Sequence, residues 1–586
     1  MYTQTRWSLK DLLPDDSPEA IDAVFKALER RIKAFERWRP QLKPGLSAKA
    51  FGELLDAYES MLREAYRVSG FASLRFAADT QDQGAQALRA RVNDVMARAQ
   101  NQTLFFSLWW KKLTDAQAAR LMKGTGSRRY FLEEMRHFRK HTLSEPEEKI
   151  LNLKNANGPT ALENIYEQIT NKYLFEIEVD GEVKKLTRDV LMMYARHPDP
   201  ALRAAAYQAL YKTYGEDGPL LASIYAALVR DWRVENVDLR KHKSPIGVRN
   251  LANDLPDKVV DTLLRVIRKN RGVFQRYFKL KAGWLGLPKL RRYDLYAPLS
   301  KSDKEVPYYE AVEMVLATFN EFSPKLGELA RQVFDDGHVD AEIRPGKRGG
   351  AFCASIFPAM PSFVLLNYSG RVRDVATIAH EFGHAVHATM AGHHSLMTFH
   401  SSLPMAETAS VFSEMLLTEK LLAAETDPDV RRDLLAAAID DAYATVGRQG
   451  YFSLWEQEAH EMVRQNKTPD EMADRYLETL REQFDDAIDV SDDFKWEWVS
   501  IPHFYSTPFY VYAYAFGQLI TLGLYRMYKQ EGEAFKPKFL KLLSYGGSES
   551  PAKICRSAGI DITSEAFWQG GFDVIADMIK QLEALG

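Results

Sequence analysis

The sequence predicts a mainly α-helical protein of two or more packed lobes, with a small β-sheet just ahead of a functional helix. Three observations carry this. Apolar residues recur at three- and four-residue spacing through most of the chain, the period of an amphipathic helix. Strand-like runs are confined to two short stretches, near 175–187 and 336–367. A length of 586 residues exceeds what one compact core ordinarily holds.

In order, helical periodicity covers Pro18 to Trp38, Ala48 to Val68 and Gln86 to Leu113. Ser144-Glu145-Pro146-Glu147 is a capping-box pattern with proline in the first turn, and it opens helix toward Tyr173. FEIEV and VKKLT flank Asp180-Gly181, turn residues that a type I′ hairpin prefers. Helix resumes after Thr187, which places a division near residue 190, between a helical N-terminal lobe (1–190) and the remainder (191–586). Arg240-Lys241-His242-Lys243 reads as a solvated loop before Ser244-Pro245. HVDAEI, AFCASIF and SFVLLN are short strands separated by turns, one of them Arg344-Pro345-Gly346-Lys347-Arg348-Gly349-Gly350. Its glycines permit hinge motion or close backbone approach to a ligand. Phe504 to Tyr525 is uncharged and long enough to span a bilayer, but its serine, threonine, proline, glutamine and tyrosines fit a buried or cleft-lining helix better.

Charge and cysteine usage narrow the class. Lys plus Arg total 77 against 80 for Asp plus Glu, so nothing points to nucleic acid or an anionic membrane. Cys353 and Cys555 lie far apart with no metal or redox spacing, which fits a reducing, cytoplasmic setting. Arg6, Lys10 and Asp11 interrupt the N-terminus where a secretory signal needs an apolar core.

The chemistry lies on a predicted helix from Asp374 to Met390, with Gly392 as its stop. His380-Glu381-Phe382-Gly383-His384 puts two imidazoles one helical turn apart, so both can grip one ion, while Glu381 points toward its water. A catalytic zinc ion, one per chain, needs a third protein ligand. The pattern that would supply it from the same segment fails, since His387 stands where a glycine is required and Met390 where a histidine is. The best candidate is Glu407, in the first turn of a predicted helix from Pro404 to about Glu425, with Ser410 and Glu414 on the same face. A glutamate there also suits the helix dipole without any metal. Glu414 is placed to orient an imidazole. His387 is assigned to packing or a hydrogen bond, and His393, His394 and His400 to solvent or the substrate's surroundings.

HEFGHAVH followed by ETASVFSE resembles the thimet oligopeptidase family of zinc metallopeptidases, most of all its oligoendopeptidase F branch. RPGKRGGAFC, IPHFYSTPFYVYAYAFG and LLSYGGSESP extend the likeness over most of the chain from about residue 190. The resemblance implies two helical lobes around a deep substrate channel, zinc held by His380, His384 and Glu407, Glu381 as general base, and cleavage inside short peptides. It also implies that the segment after Pro502 holds the reacting carbonyl, with His503 matching by position and Tyr510, Tyr512 and Tyr514 sharing the hydroxyl role. Two alternatives remain: a carboxypeptidase or dipeptidase on the same zinc helix, and a silent peptide-binding protein. Retention of Glu381 counts against the second, because zinc binding alone does not require it.

Overall fold

The computed structural model describes residues 2–299 and 305–585. Local signals start its helices: Ser17 accepts the Ala20 N–H ahead of Pro18–Glu36, Ser47 accepts that of Ala50 ahead of Ala48–Ala78, and Asp82 that of Gly84 ahead of Gln83–Lys112. Each cap satisfies an N–H group that the first turn leaves without a partner. The helix opened by Glu145 ends at Asn157, and a second, Pro159–Thr170, follows. The break is Gly158-Pro159, because proline is admitted at the first turn of a helix and not in its interior.

The strands are β1 (Phe175–Val179), β2 (Glu182–Leu186), β3 (Leu290–Arg291), β4 (Val339–Asp340), β5 (Phe352–Ala354), β6 (Phe363–Leu365) and β7 (Ile488–Asp489). β1 and β2 form the hairpin, with Asp180 at φ 55° and Gly181 at φ 81°, the two positive values of a type I′ turn. β3 and β7 make a short parallel pair. The functional sheet has the order β4-β6-β5, parallel between β4 and β6 and antiparallel between β5 and β6. The fold is mainly α with small sheets, as the sequence predicts.

By contacts the chain forms two compact units, each drawn from three segments: Met1–Glu145, Asp303–Leu421 and Met527–Ile560 in the first; Pro146–Ser302, Leu422–Arg526 and Asp561–Gly586 in the second. Residue 190 therefore falls inside the second unit. On the buried face of β1 (Phe175, Ile177 and Val179), Phe175 stacks on Tyr214 of the helix Pro200–Glu216 at 6.3 Å, and Tyr173 meets the same ring edge to face at 5.2 Å. In the first unit the N-terminal helices share one core with Phe357, Phe363, Leu365 and Leu396, which joins them to the sheet beside the motif.

Three local expectations change. The Arg344–Gly350 turn is anchored and not a free hinge. Arg344 grips buried Asp340 with both Nη atoms at 2.7 and 2.8 Å, and the Lys347 ammonium, 1% exposed, lies 2.8 Å from the same carboxylate. Lys347 also donates to the carbonyls of Asp340, Glu342 and Leu366. The segment Phe504 to Tyr525 is no single helix: Pro502–Ser506 ends, the chain turns, and Tyr512–Glu531 begins. Among the described residues no helix is long and apolar enough to cross a membrane. The basic run is half-tied, Arg240 pairing with Glu148 and Glu235 at 2.8 and 2.9 Å while His242 is buried.

Removing one partner of a buried ion pair strands the other's charge, at a cost of about 3–5 kcal/mol. Asp340→Ala is accordingly expected to lower the denaturant midpoint and to speed tryptic cleavage after Lys347 and Arg348. Unchanged cleavage would mean that this carboxylate does not hold the turn.

Candidate metal centre

The motif lies on the helix Val372–Met390, which begins where the Asp374 carboxylate collects the backbone N–H groups of Ser369 and Arg371. Val375, Ile378, Ala379, Phe382 and Val386 are buried, and Phe382 stacks on Phe334 at 4.5 Å. That packing leaves the opposite edge, with His380 and His384, toward a cavity of about 540 Å³. Ala351, Phe352, Cys353 and Ser355 of the β5 region line it, together with Phe399, His400, Ser401 and Gly546.

Glu407 arrives by a different route from the expected continuous helix. A single turn, Leu403–Ala406, stops at Glu407, and Thr408–Ala424 begins after it. At this junction Ser410 Oγ donates to Glu407 Oε2 at 2.7 Å, holding the carboxylate turned to the histidines. The crossing of the two helices depends on Gly383. A Cβ there would lie 2.4 Å from Ser410 Cα and 2.7 Å from the Ala409 carbonyl oxygen, so only glycine lets the backbones meet. Gly547 serves the cavity rim similarly, since its Cβ would lie 2.1 Å from the His400 carbonyl oxygen.

The result is a triangle of ligand-type atoms. His380 Nε2 and His384 Nε2 are 3.2 Å apart, and each lies 3.4 Å from Glu407 Oε2. A tetrahedral ion with bonds of about 2.0–2.1 Å separates its ligand atoms by about 3.3 Å, so the donor set and spacing fit zinc. Glu414 accepts the Nδ1–H of His380, which leaves the Nε2 lone pair for the ion. Opposing the effect of burial, Glu414, Glu407 and Glu381 raise the pKa of His380. Burial and the neighbouring His380 lower that of His384 despite Glu407. In electrostatic terms the cluster favours one positive charge and not two.

Glu381 is 7% exposed, and its pKa is raised to about 7. Burial is the main cause, with Glu407 and Glu414 adding to it, while His380 and the backbone N–H of Cys353 oppose. The Cys353 N–H thus ties β5 to the motif helix, a contact with no signature in the sequence. His387 is buried outside the triangle, hydrogen-bonds the Ala406 carbonyl, and is held neutral by burial, with a pKa of about 4. His394 contacts the Ser544 carbonyl at 2.9 Å, and His400 lines the cavity. Burial pushes the thiols of Cys353 and Cys555 up to about 12, so neither is a nucleophile near neutral pH.

In the second unit His503, Tyr510 and Tyr514 come together. The Tyr514 hydroxyl is 3.2 Å from His503 Nε2, the His503 and Tyr510 rings are parallel at 5.5 Å, and Tyr510 meets Tyr514 edge to face at 5.1 Å. Tyr512 leaves this group: it is fully buried, with its hydroxyl accepting from Asn253 Nδ2 at 2.8 Å. Burial lowers the His503 pKa.

The chain is similar to several known proteins. Residues 109–175 match a family described as Oligopeptidase F. An oligoendopeptidase F homolog of Borreliella burgdorferi is 26% identical over 99% of this chain and 98% of its own length. Oligopeptidase PepF of Bacillus subtilis is also 26% identical, covering 99% of this chain and 87% of that protein. The crystal structure of oligoendopeptidase-F from Enterococcus faecium superposes with a TM-score of 0.73 at 24% identity, over 96% of this chain and 99% of that one, which is a likeness of fold. Residues 192–574 match the pattern described as Peptidase family M3. That span is well over half of the sequence and takes in His380, Glu381, His384, Glu407 and the His503–Tyr514 segment, and on this ground the chain belongs to peptidase family M3.

Proposed function

We propose that this peptidase is a zinc-dependent endopeptidase that hydrolyses internal bonds of short peptides. The observation that carries the reading is the triangle of His380 Nε2, His384 Nε2 and Glu407 Oε2 with the buried Glu381 carboxyl beside it. The names of the relatives, oligoendopeptidase and oligopeptidase, support short peptides as its substrates. The two free thiols suit a reducing, cytoplasmic location, which belongs to the same proposal.

His380, His384 and Glu407 would hold the ion, Glu414 fixing the tautomer of His380 and Ser410 the carboxylate of Glu407. When bound, zinc supplies Lewis acidity, polarising a carbonyl and making water acidic enough to lose a proton near neutral pH. Glu381 takes that proton on a carboxylate oxygen as water attacks the peptide carbon, then delivers it to the leaving nitrogen. A carboxyl whose pKa burial has lifted toward neutrality suits both halves of the exchange. β5 is the outer strand of its sheet and lines the cavity, so an extended peptide can lie along it. His503, Tyr510 and Tyr514 take the role of donors to the carbonyl oxygen as it gains negative charge, a role supported by the family pattern after Pro502 and by the contacts among the three side chains.

Glu381→Gln removes the proton acceptor and no ligand. Turnover is expected to fall by about 10²–10⁴-fold with zinc content unchanged, and zinc loss in this variant would show the role misassigned. Glu407→Ala and Gly383→Ala act on the ligand set, the first by deleting a donor and the second by forcing the helices apart. Both are expected to weaken zinc binding in a competition titration by at least about tenfold. Unchanged affinity in Glu407→Ala would move the third ligand elsewhere. Finally, a peptide blocked at both ends should be cut internally, while a native globular protein should survive the same incubation. Loss of cleavage on end-blocking would favour the carboxypeptidase or dipeptidase alternative.

A further inference from the structure

The His503, Tyr510 and Tyr514 group depends on one turn. Between Pro502–Ser506 and Tyr512–Glu531 the chain reverses, and Phe509 has φ 58°. An aromatic residue takes this left-handed conformation only where its surroundings impose it. The Pro508–Phe509 peptide group is held at both ends, its N–H and its carbonyl, by distant elements of the same unit. Glu456, fully buried on the helix Gln449–Arg464, accepts the Phe509 N–H on Oε1 at 2.8 Å. Arg249, on the helix Pro245–Ala252, donates Nε–H to the Pro508 carbonyl at 3.1 Å. The Tyr510 N–H closes the turn onto the Thr507 carbonyl at 3.1 Å.

A fully buried carboxyl is an expensive way to fill a core, because its polar atoms give up water. Burial lifts the pKa of Glu456 to about 8, so near pH 7 it is largely the neutral acid, and its Oε2 makes no hydrogen bond to a protein atom. An apolar side chain of the same size would pack there at less cost. What Glu456 does that such a side chain cannot is accept the N–H of a strained peptide one residue before Tyr510. A rotation of that peptide would carry the Tyr510 side chain and the start of the Tyr514 helix with it.

We propose that Glu456 and Arg249 are positioning residues for peptide hydrolysis, gripping the Pro508–Phe509 peptide group from its two ends and so fixing where Tyr510 and Tyr514 present their hydroxyls. The inference rests on the reading of those tyrosines as donors to the reacting carbonyl oxygen. Displacing a reacting group by about 1 Å can cost about 10²-fold in rate, and a contact made only in the transition state is lost from kcat rather than from KM.

The test uses the full zinc-loaded chain and an internally quenched fluorescent peptide. Glu456→Ala and Arg249→Met are each expected to lower kcat by about 10–100-fold, leaving KM and zinc content near those of the parent. Glu456→Gln keeps the acceptor oxygen and should retain most of kcat. In the Tyr510→Phe/Tyr514→Phe background, Glu456→Ala should cause no further loss, the non-additivity expected of residues acting through one another. Arg249 is only half-buried and carries the same test if Glu456→Ala does not fold. If the tyrosine variant loses kcat while Glu456→Ala and Arg249→Met do not, or if their losses simply multiply, the positioning role is wrong and the tyrosine reading stands. If the tyrosine variant keeps full kcat, the tyrosine reading fails and the inference falls with it.

Discussion

The backbone crossing at Gly383 is the contact on which the metal centre depends. A glycine within a helix costs about 1 kcal/mol relative to alanine, and here it lets the Thr408–Ala424 helix approach so closely that a single methyl would overlap the Ser410 backbone. The approach sets the distance from Glu407 to the two imidazoles. It also brings Glu414, two turns further on, to the far nitrogen of His380. One steric constraint therefore supplies both a ligand-type atom and the group that orients another.

Around this crossing each reactive side chain is steered by a second group. Glu414 steers His380, Ser410 steers Glu407, the Ala406 carbonyl meets both His384 and His387, and the Cys353 N–H meets Glu381. These contacts come from the motif helix, the Leu403–Ala406 turn, the Thr408–Ala424 helix and strand β5, so the centre is prearranged by four elements rather than by the motif alone. Prearrangement matters because a polar group that must reorganise during reaction gives up part of its electrostatic benefit.

The sheet that places β5 is itself held from two directions. On one side its Phe363 and Leu365 enter the core of the N-terminal helices. On the other, the Asp340, Arg344 and Lys347 network ties the loop between β4 and β5 back to the ends of the strands. Within that loop Gly346 sits at φ 80°, where the Asp79 carboxylate comes close enough to leave no room for a Cβ.

What the sequence determined alone is whatever obeys a local rule. Ser17, Ser47 and Asp82 mark helix starts, Asp180-Gly181 a hairpin, and the four-residue spacing of His380 and His384 a shared helical face. Each is set within a few residues by hydrogen bonding or steric limits. Other features were decided only by tertiary structure. Glu407 stands at a break between two helices where a continuous one was expected, because its position answers to the Gly383 crossing and not to its own neighbours. Tyr510 and Tyr514 meet His503 across a turn whose left-handed Phe509 no local preference of phenylalanine would select, held by Glu456 and Arg249 from remote parts of the chain, while Tyr512 is buried against Asn253. The compact units are each assembled from three segments, since burial of apolar faces follows proximity in space and is indifferent to order along the chain.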